Sequence, residues 1–264
     1  MYDFNYHQAV SIGEAQAAFS KSEDPVYLAG GMTLIPTMKQ RLSNPSDVID
    51  LGGIDDFVGV ERIGNGVVVK AMTTHAAVAI NPDMRSAIPA LAALAGSIGD
   101  PHVRNRGTLG GSIANNDPAA DYPAAVVGLG GTVRTTSREI PAGDFFTGMF
   151  ETVLEPDELI TSVSFPIPDE AHYMKFPNPA SRYALVGVMV VRTGAEVRVA
   201  VTGAGPSVFR VAEMEAALES NFDAAAIENI VIPEEGLNND IHASADYRAH
   251  LVSVMASRAV SACS

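Results

Sequence analysis

Residues 101–123 read PHVRNRGTLGGSIANNDPAADYP. The stretch holds two Arg, a Gly before a Thr, a Gly-Gly pair, then Ser, two adjacent Asn and two Asp. Nothing in it reads as a long regular element. Glycines and small hydroxyl residues collect where a backbone must approach something closely. Successive backbone N–H groups in such a loop can form a concave anion site. Arg104 and Arg106 add local positive charge. The loop therefore reads as a holder of a phosphate-bearing ligand, or as an irregular turn with polar decoration.

A related object lies earlier in the chain. Pro25-Val26-Tyr27-Leu28-Ala29 reads as a short buried strand and runs into Gly30-Gly31-Met32-Thr33. Leu34, Met38 and Leu42 then recur at helical spacing. The order is strand, Gly-Gly turn, helix, with Thr33 as N-cap and the helix N-terminus as a natural phosphate site. It is not the G-x-G-x-x-G dinucleotide fingerprint. Each of the two stretches has a Gly-Gly pair followed closely by a hydroxyl residue. Brought face to face, they suit a pyrophosphate. Thr33, Thr108 and Ser112 would add hydroxyls to the backbone amides. Asn115 and Asn116 donate and accept, and Asp121 would accept from sugar hydroxyls. Such a set fits a dinucleotide better than one phosphate. Arg104 and Arg106 either neutralise phosphate or brace the loop on carbonyls, with bracing preferred for at least one.

The rest of the chain supplies a frame. Its 264 residues, 47% hydrophobic, allow one large domain or two modest ones. A net charge of −14 argues against nucleic acid or anionic membrane as a partner. One cysteine, Cys263, excludes a disulfide framework and any iron–sulfur cluster held by several Cys of this chain. No run reaches the roughly 18 apolar residues of a membrane span, and the N-terminus lacks a secretory pattern, so a cytoplasmic protein is expected.

Alternating Tyr2, Phe4 and Tyr6 suggest a strand, and a capping box at Ser11 and Glu14 opens a helix to about Ser20. Asp47 to Leu51 is a strand. Asn65-Gly66 joins a hairpin over 58–71. Thr73-Thr74-His75 opens a helix to Ile80, and one helix is expected from about Met84 to Ile98. Asp121-Tyr122-Pro123 enters a further helix. Thr132 to Ile140 forms a second hairpin, and Leu159 to Phe165 is a strand that ends before Pro166 and Pro168. Beyond it, three strands (near 173–176, 184–192 and 197–203) precede helices at about 211–218, 224–230 and 243–262. That order is an α+β pattern. The histidines show no metal-ligand spacing, so no metal site is expected. His102 lies within the glycine loop.

Here a family resemblance enters. AGGMTLIPTMKQRL (29–42) and GDPHVRNRGTLGGSIANNDPAADYPAA (99–125) resemble the two flavin motifs of the FAD-binding medium subunits of molybdenum hydroxylases, such as aerobic carbon monoxide dehydrogenases and bacterial xanthine dehydrogenases. MKFPNPASRYALVGV (174–188) and DIHASADYRAHLVSVMASRAV (240–260) resemble their third-domain segments. The resemblance covers nearly the whole chain. Met32 sits where members vary, and Leu109 replaces a commoner Ile. The resemblance implies a PCMH-like FAD-binding domain over 1–168, in two α/β subdomains (about 1–55 and 56–168). A C-terminal α+β domain over 169–264 would follow. It implies that Ala29, Gly30, Gly31, Met32, Thr33 and Leu34 wrap the pyrophosphate and part of the adenosine. Thr108, Gly110, Gly111, Ser112, Asn115 and Asp121 form the second binding segment, with Ile98 against the flavin ring. Lys175 would be the functional cation near the isoalloxazine, favouring negative charge on the reduced ring. The implied role is an FAD-binding electron-transfer subunit. Its partners would be a small [2Fe-2S] subunit and a large molybdenum-cofactor subunit, assembled as a dimer of heterotrimers. A stand-alone flavin oxidase and a non-catalytic protein that kept the fold are the alternatives.

Overall fold

The computed structural model describes residues 1–263. Its first unit alternates strands and helices: β1 (Asn5–Gln8), α1 (Ile12–Lys21), β2 (Pro25–Leu28), α2 (Leu34–Lys39) and β3 (Asp47–Asp50). β3 lies between β1 and β2 and pairs parallel to both. Parallel neighbours require crossovers, which α1 and α2 supply. Ser11 caps α1, its hydroxyl accepting from the Glu14 N–H at 3.2 Å, while Glu14 Oε2 accepts from the Val10 N–H at 3.0 Å. β1 begins later than the Tyr2–Tyr6 alternation suggested, and Tyr2 and Tyr6 are exposed.

The second unit is a five-stranded antiparallel sheet with helices on it. β4 (Val60–Ile63) and β5 (Gly66–Lys70) form the expected Asn-Gly hairpin. Then come α3 (His75–Ile80), α4 (Pro82–Ala87) and α5 (Pro89–Ser97). The single helix expected over 84–98 is thus two. Pro89 has no N–H to continue α4, so the helix breaks at Ile88 and restarts with Pro89 in its first turn. Residues 101–123 likewise contain α6 (Pro101–Arg106), α7 (Leu109–Asn115) and the entry to α8 (Tyr122–Gly128). The unit continues through β6 (Thr132–Thr135), β7 (Glu139–Pro141), α9 (Ala142–Phe145), β8 (Phe146–Gly148), β9 (Glu151–Thr152) and β10 (Ile160–Pro166). The sheet order is β4-β5-β10-β6-β7, so the last strand closes the middle. Val67, Val69, Val163 and Phe165 are buried from this sheet, with Leu91 and Leu94 of α5 and Val126 of α8 in the same core.

The third unit has four strands rather than the expected three: β11 (Glu170–Pro177), β12 (Ala184–Thr193), β13 (Glu196–Thr202) and the two-residue β14 (Phe209–Arg210). α10 (Ala212–Ser220) and α11 (Ala245–Cys263) follow, and the segment expected as a helix near 224–230 is a 3-10 turn over Ala224–Ile227. β12 is buried on both faces. Val186, Val188 and Val190 join Val252, Met255 and Ala259 of α11 in one core. Met189 and Val191, pointing the other way, join the core under α5 and α8. The period-2 alternation of a strand assigns them so. This third sheet therefore packs directly on the helices that carry residues 89–128, and β11 comes to lie beside α5.

Candidate functional site

The two glycine stretches meet. A Cβ on Gly30 would stand 2.0 Å from the Arg106 carbonyl oxygen and 2.9 Å from Gly107 Cα. A Cβ on Gly111 would meet Thr108 Oγ1 at 2.9 Å and Ala29 Cβ at 3.1 Å. Only glycine lets the β2–α2 turn settle on the α6–α7 junction. A cavity of about 720 Å³ opens beside this junction, within the range of cofactor sites. Of the residues expected to bind a ligand, Ala29, Gly30, Gly31, Met32, Thr33 and Leu34 line it. So do Ile98, Thr108, Gly110, Gly111, Ser112, Asn115 and Asp121. Lys175 does not.

The amides of the two turns are used differently. The N–H groups of Gly30, Gly31, Met32, Thr33 and Leu34 find no acceptor among the described residues. Thr33 does not cap α2 as expected. Its backbone is already helical (φ −109°, ψ −51°) and its hydroxyl makes no capping bond, whereas a side-chain cap needs an extended backbone. The five amides and the positive end of α2 are thus left for an anion. At α7 the reverse holds. Thr108 Oγ1 accepts from the Gly111 N–H at 3.1 Å. Leu109 N–H donates to Thr73 O at 3.1 Å, and Gly110 N–H to Ala71 O at 2.8 Å. The second turn brings close backbone and hydroxyls, and of its amides only the Thr108 N–H is left without an acceptor among the described residues.

Arg104 and Asn116, which looked ligand-directed, are structural, and Arg106 and His102 lie outside the cavity. Arg104 donates from Nη1 to the carbonyls of Ile98 and Gly99, at 2.9 and 3.1 Å, and braces the loop. The Arg106 side chain is exposed. Asn116, buried with φ +41°, donates to the carbonyls of Gly148 and Glu151, both at 2.8 Å. His102 is exposed and lies outside the cavity.

The histidine in the cavity wall is His75, which the sequence marks only as the opening of a helix. Thr74 caps its helix and places it at the first turn. Burial, with Arg104 nearby, holds its pKa down at about 4, so the ring is neutral at physiological pH. Its Nδ1 is buried without a partner. Gly107 makes room for the ring, since a Cβ there would stand 2.5 Å from Nε2. The Gly after Arg106 was legible; its spatial neighbour at 75 was not.

Lys175 reaches the site through Asp121. Its Nζ stands 3.0 Å from Asp121 Oδ1 and 3.3 Å from Ser97 O. Tyr173 donates its hydroxyl to the same carboxylate at 2.6 Å. Lys175 and Asp121 side chains are 9% and 4% exposed, so this is a buried pair. Burial pushes the Asp121 carboxyl up, and Lys175 and Tyr173 oppose that shift. Removing one partner of such a pair leaves an uncompensated buried charge. Gly187 on β12 makes the arrangement possible, because a Cβ there would stand 2.1 Å from the Tyr173 hydroxyl. The cation is thus presented to the cavity already paired, behind Asp121.

The donor set fits FAD: five free amides at a helix start for the pyrophosphate, an orphaned neutral imidazole, an amide side chain at Asn115 and a carboxylate at Asp121. Comparison with known proteins agrees. The family model for the FAD binding domain in molybdopterin dehydrogenase matches residues 2–168, and that for the CO dehydrogenase flavoprotein C-terminal domain matches 171–263. The nicotine 6-hydroxylase medium subunit of Paenarthrobacter nicotinovorans is 36% identical, over 97% of this chain and 95% of its own length. The carbon monoxide dehydrogenase medium chain of Afipia carboxidovorans is 34% identical over the same shares. Reconstituted CO dehydrogenase from Oligotropha carboxidovorans superposes with a TM-score of 0.90 at 32% identity, covering 99% of this chain and 98% of that one. Quinoline 2-oxidoreductase from Pseudomonas putida 86 gives 0.89 at 28% identity, over 99% and 97%. This chain therefore belongs to the FAD-binding medium subunits of the molybdenum hydroxylases, oxidoreductase subunits of the carbon monoxide and xanthine dehydrogenase type.

Proposed function

We propose that the chain is an electron relay. It takes electrons from [2Fe-2S] clusters of a small partner subunit and passes them through FAD to an external acceptor. A large molybdenum-cofactor subunit would oxidise the substrate, and the assembly would be a cytoplasmic dimer of heterotrimers. The observation that carries the reading is the set of unpartnered amides from Gly30 to Leu34, packed by glycine contact onto the α6–α7 junction. FAD supplies redox chemistry that no side chain of this protein has. The lone cysteine supports the division of labour, because the clusters need cysteines of another chain.

In this reading the first turn binds the pyrophosphate, with Thr33 and Ser112 adding hydroxyls and Asn115 its amide. Ile98 covers the ring. Asp121 accepts from a ligand hydroxyl while Tyr173 and Lys175 fix its orientation. The Lys175 charge, neutralised in part by Asp121, biases the flavin less than a free ammonium would. Residues 1–168 form the FAD-binding part and 169–264 the part that closes it from the β11 side. Purification from the native source tests the assembly. Partner chains carrying iron and molybdenum are expected. A chain that purifies alone and turns over an aldehyde or alcohol unaided would instead support a self-sufficient oxidase.

A further inference from the structure

The His75 ring is 4% exposed and stands in the cavity wall. Neither ring nitrogen has a partner among the described residues, and only Nδ1 is sealed from the cavity. Nε2 is therefore the polar atom that the ring turns to a ligand. The backbone fixes it there. Thr74 caps α3 and sets residue 75 in the first turn, and the His75 N–H donates to Gly107 O at 3.0 Å. The ring lies directly on Gly107, where a Cβ would stand 2.5 Å from Nε2 and 2.9 Å from Cδ2.

A second orphan lies beside the first. The Tyr122 side chain is fully buried, and its hydroxyl has no partner. Its ring centroid is 5.3 Å from that of His75. Two unmatched polar groups on neighbouring buried rings each carry a desolvation cost that a hydrogen bond between them would relieve. A phenol can donate, so Nδ1 serves as the acceptor, directly or through one bridging water. A neutral imidazole whose Nδ1 accepts carries its proton on Nε2. Burial first, and Arg104 second, keep the ring neutral by holding its pKa at about 4. The cavity thus meets an uncharged N–H donor.

The neighbours select the ligand group. Arg104 braces the Ile98 and Gly99 carbonyls, and Ile98 and Gly99 line the cavity. Tyr122 follows Asp121, which also lines it. A pyrophosphate already has the Gly30–Leu34 amides and would favour a cation beside it. An uncharged donor suits an uncharged acceptor, such as a ring carbonyl or a ribityl hydroxyl. We propose that His75 holds the flavin half of FAD, its Nε2–H donating to an uncharged oxygen of the ring or ribityl chain, and that Tyr122 fixes the tautomer this requires. The inference deepens the FAD relay reading and rests on it.

The test is fluorescence titration of the flavin-free chain with FAD, and competition by ADP, in wild type, His75→Leu and His75→Gln. The Gln amide restores an N–H donor near the place of Nε2, and Leu offers none. FAD affinity should fall about tenfold in His75→Leu and stay within about threefold of wild type in His75→Gln. ADP carries the pyrophosphate without the flavin, so its affinity should be the same in all three. The flavin-free His75→Leu chain should melt at or above wild type, because a buried orphan nitrogen is gone. Stability and affinity then move in opposite directions, which loss of a merely structural side chain would not produce. Long-range proton–nitrogen correlation spectra of the histidine-labelled wild type read the tautomer, with His75 assigned by its absence from His75→Gln. The proton is expected on Nε2, and FAD should shift that signal. FAD affinity equal in wild type and His75→Leu, ADP affinity that falls along with FAD affinity, or a proton found on Nδ1 would overturn the assignment. A wild-type chain that takes up no FAD breaks the relay reading and this inference with it. A wild type that takes up FAD, with His75→Leu unaffected, breaks this one alone.

Discussion

Gly30→Ala tests the junction on which the site depends. A Cβ at this position stands 2.0 Å from the Arg106 carbonyl oxygen and 2.7 Å from its carbon. Both atoms are backbone, and neither can rotate away. Restoring even a tight contact of 3.0–3.4 Å moves the β2–α2 turn off the α6–α7 junction by roughly 1 Å. Overpacking of this kind costs about 1–3 kcal/mol, which lowers the melting temperature by about 2–4 °C per kcal/mol in a chain of this size. The same displacement moves the five free amides relative to Ser112 and Asn115. FAD affinity should fall at least tenfold, equivalent to about 1.4 kcal/mol. Gly13→Ala is the internal control: it lies in α1 with nothing within 4 Å of its Cβ. It should bind FAD normally and melt at or slightly above wild type, since Ala is the better helix former. Fluorescence titration with FAD and thermal denaturation read both effects. A Gly30→Ala chain that melts and binds like wild type refutes the close-approach argument.

Lys175→Met leaves Asp121 buried without its cation, and should destabilise the chain by about 3–5 kcal/mol in a denaturant titration. Adding Asp121→Asn should recover much of that loss, and failure to recover would show that the two side chains are not coupled. Gly187→Ala should displace Tyr173 from Asp121, detected as lost stability in the same titration. An unchanged midpoint would mean that the strand yields instead. The Glu158 carboxyl is held down at about 2, from an ordinary 4.5, first by Arg138, which donates at 3.0 and 2.9 Å, and by Thr135 at 2.6 Å. Its folded pKa is below its unfolded one. Its stabilising contribution is therefore complete above about pH 4.5 and is lost as pH falls toward 2. Glu158→Gln should flatten the unfolding free energy across that window, and an unaltered acid limb would remove Glu158 as its source.

Local chemistry made much of the frame legible. The strand, Gly-Gly turn and helix at 25–39 were readable from apolar runs and glycine, and the hairpin at Asn65-Gly66 from its turn residues. The family resemblance rested on the same glycine stretches and was readable because close backbone contact restricts sequence. What escaped has specific causes. Asp100 accepts from the His102 and Val103 N–H groups and caps α6, with Pro101 in its first turn. That cap signal was present, but the density of polar residues masked it. Pro89 splits a helix that alanine and leucine content alone favoured. β14 is too short to carry a periodicity. The contact of Lys175 with Asp121, and of Gly187 with Tyr173, joins residues through the packing of β11 and β12 on α5 and α8, which no local pattern encodes. His75 was invisible for the same reason, since its partner space is made by Gly107.

In the proposed function the free amides at Gly30–Leu34 hold the pyrophosphate of FAD. The most direct test is equilibrium titration of the flavin-free chain with FAD and with riboflavin, which shares the ring but has no phosphates. FAD binding at least a hundredfold tighter than riboflavin, about 2.7 kcal/mol, is the result predicted. Equal affinities would mean that the ring alone is held, and would contradict the reading of the first glycine turn.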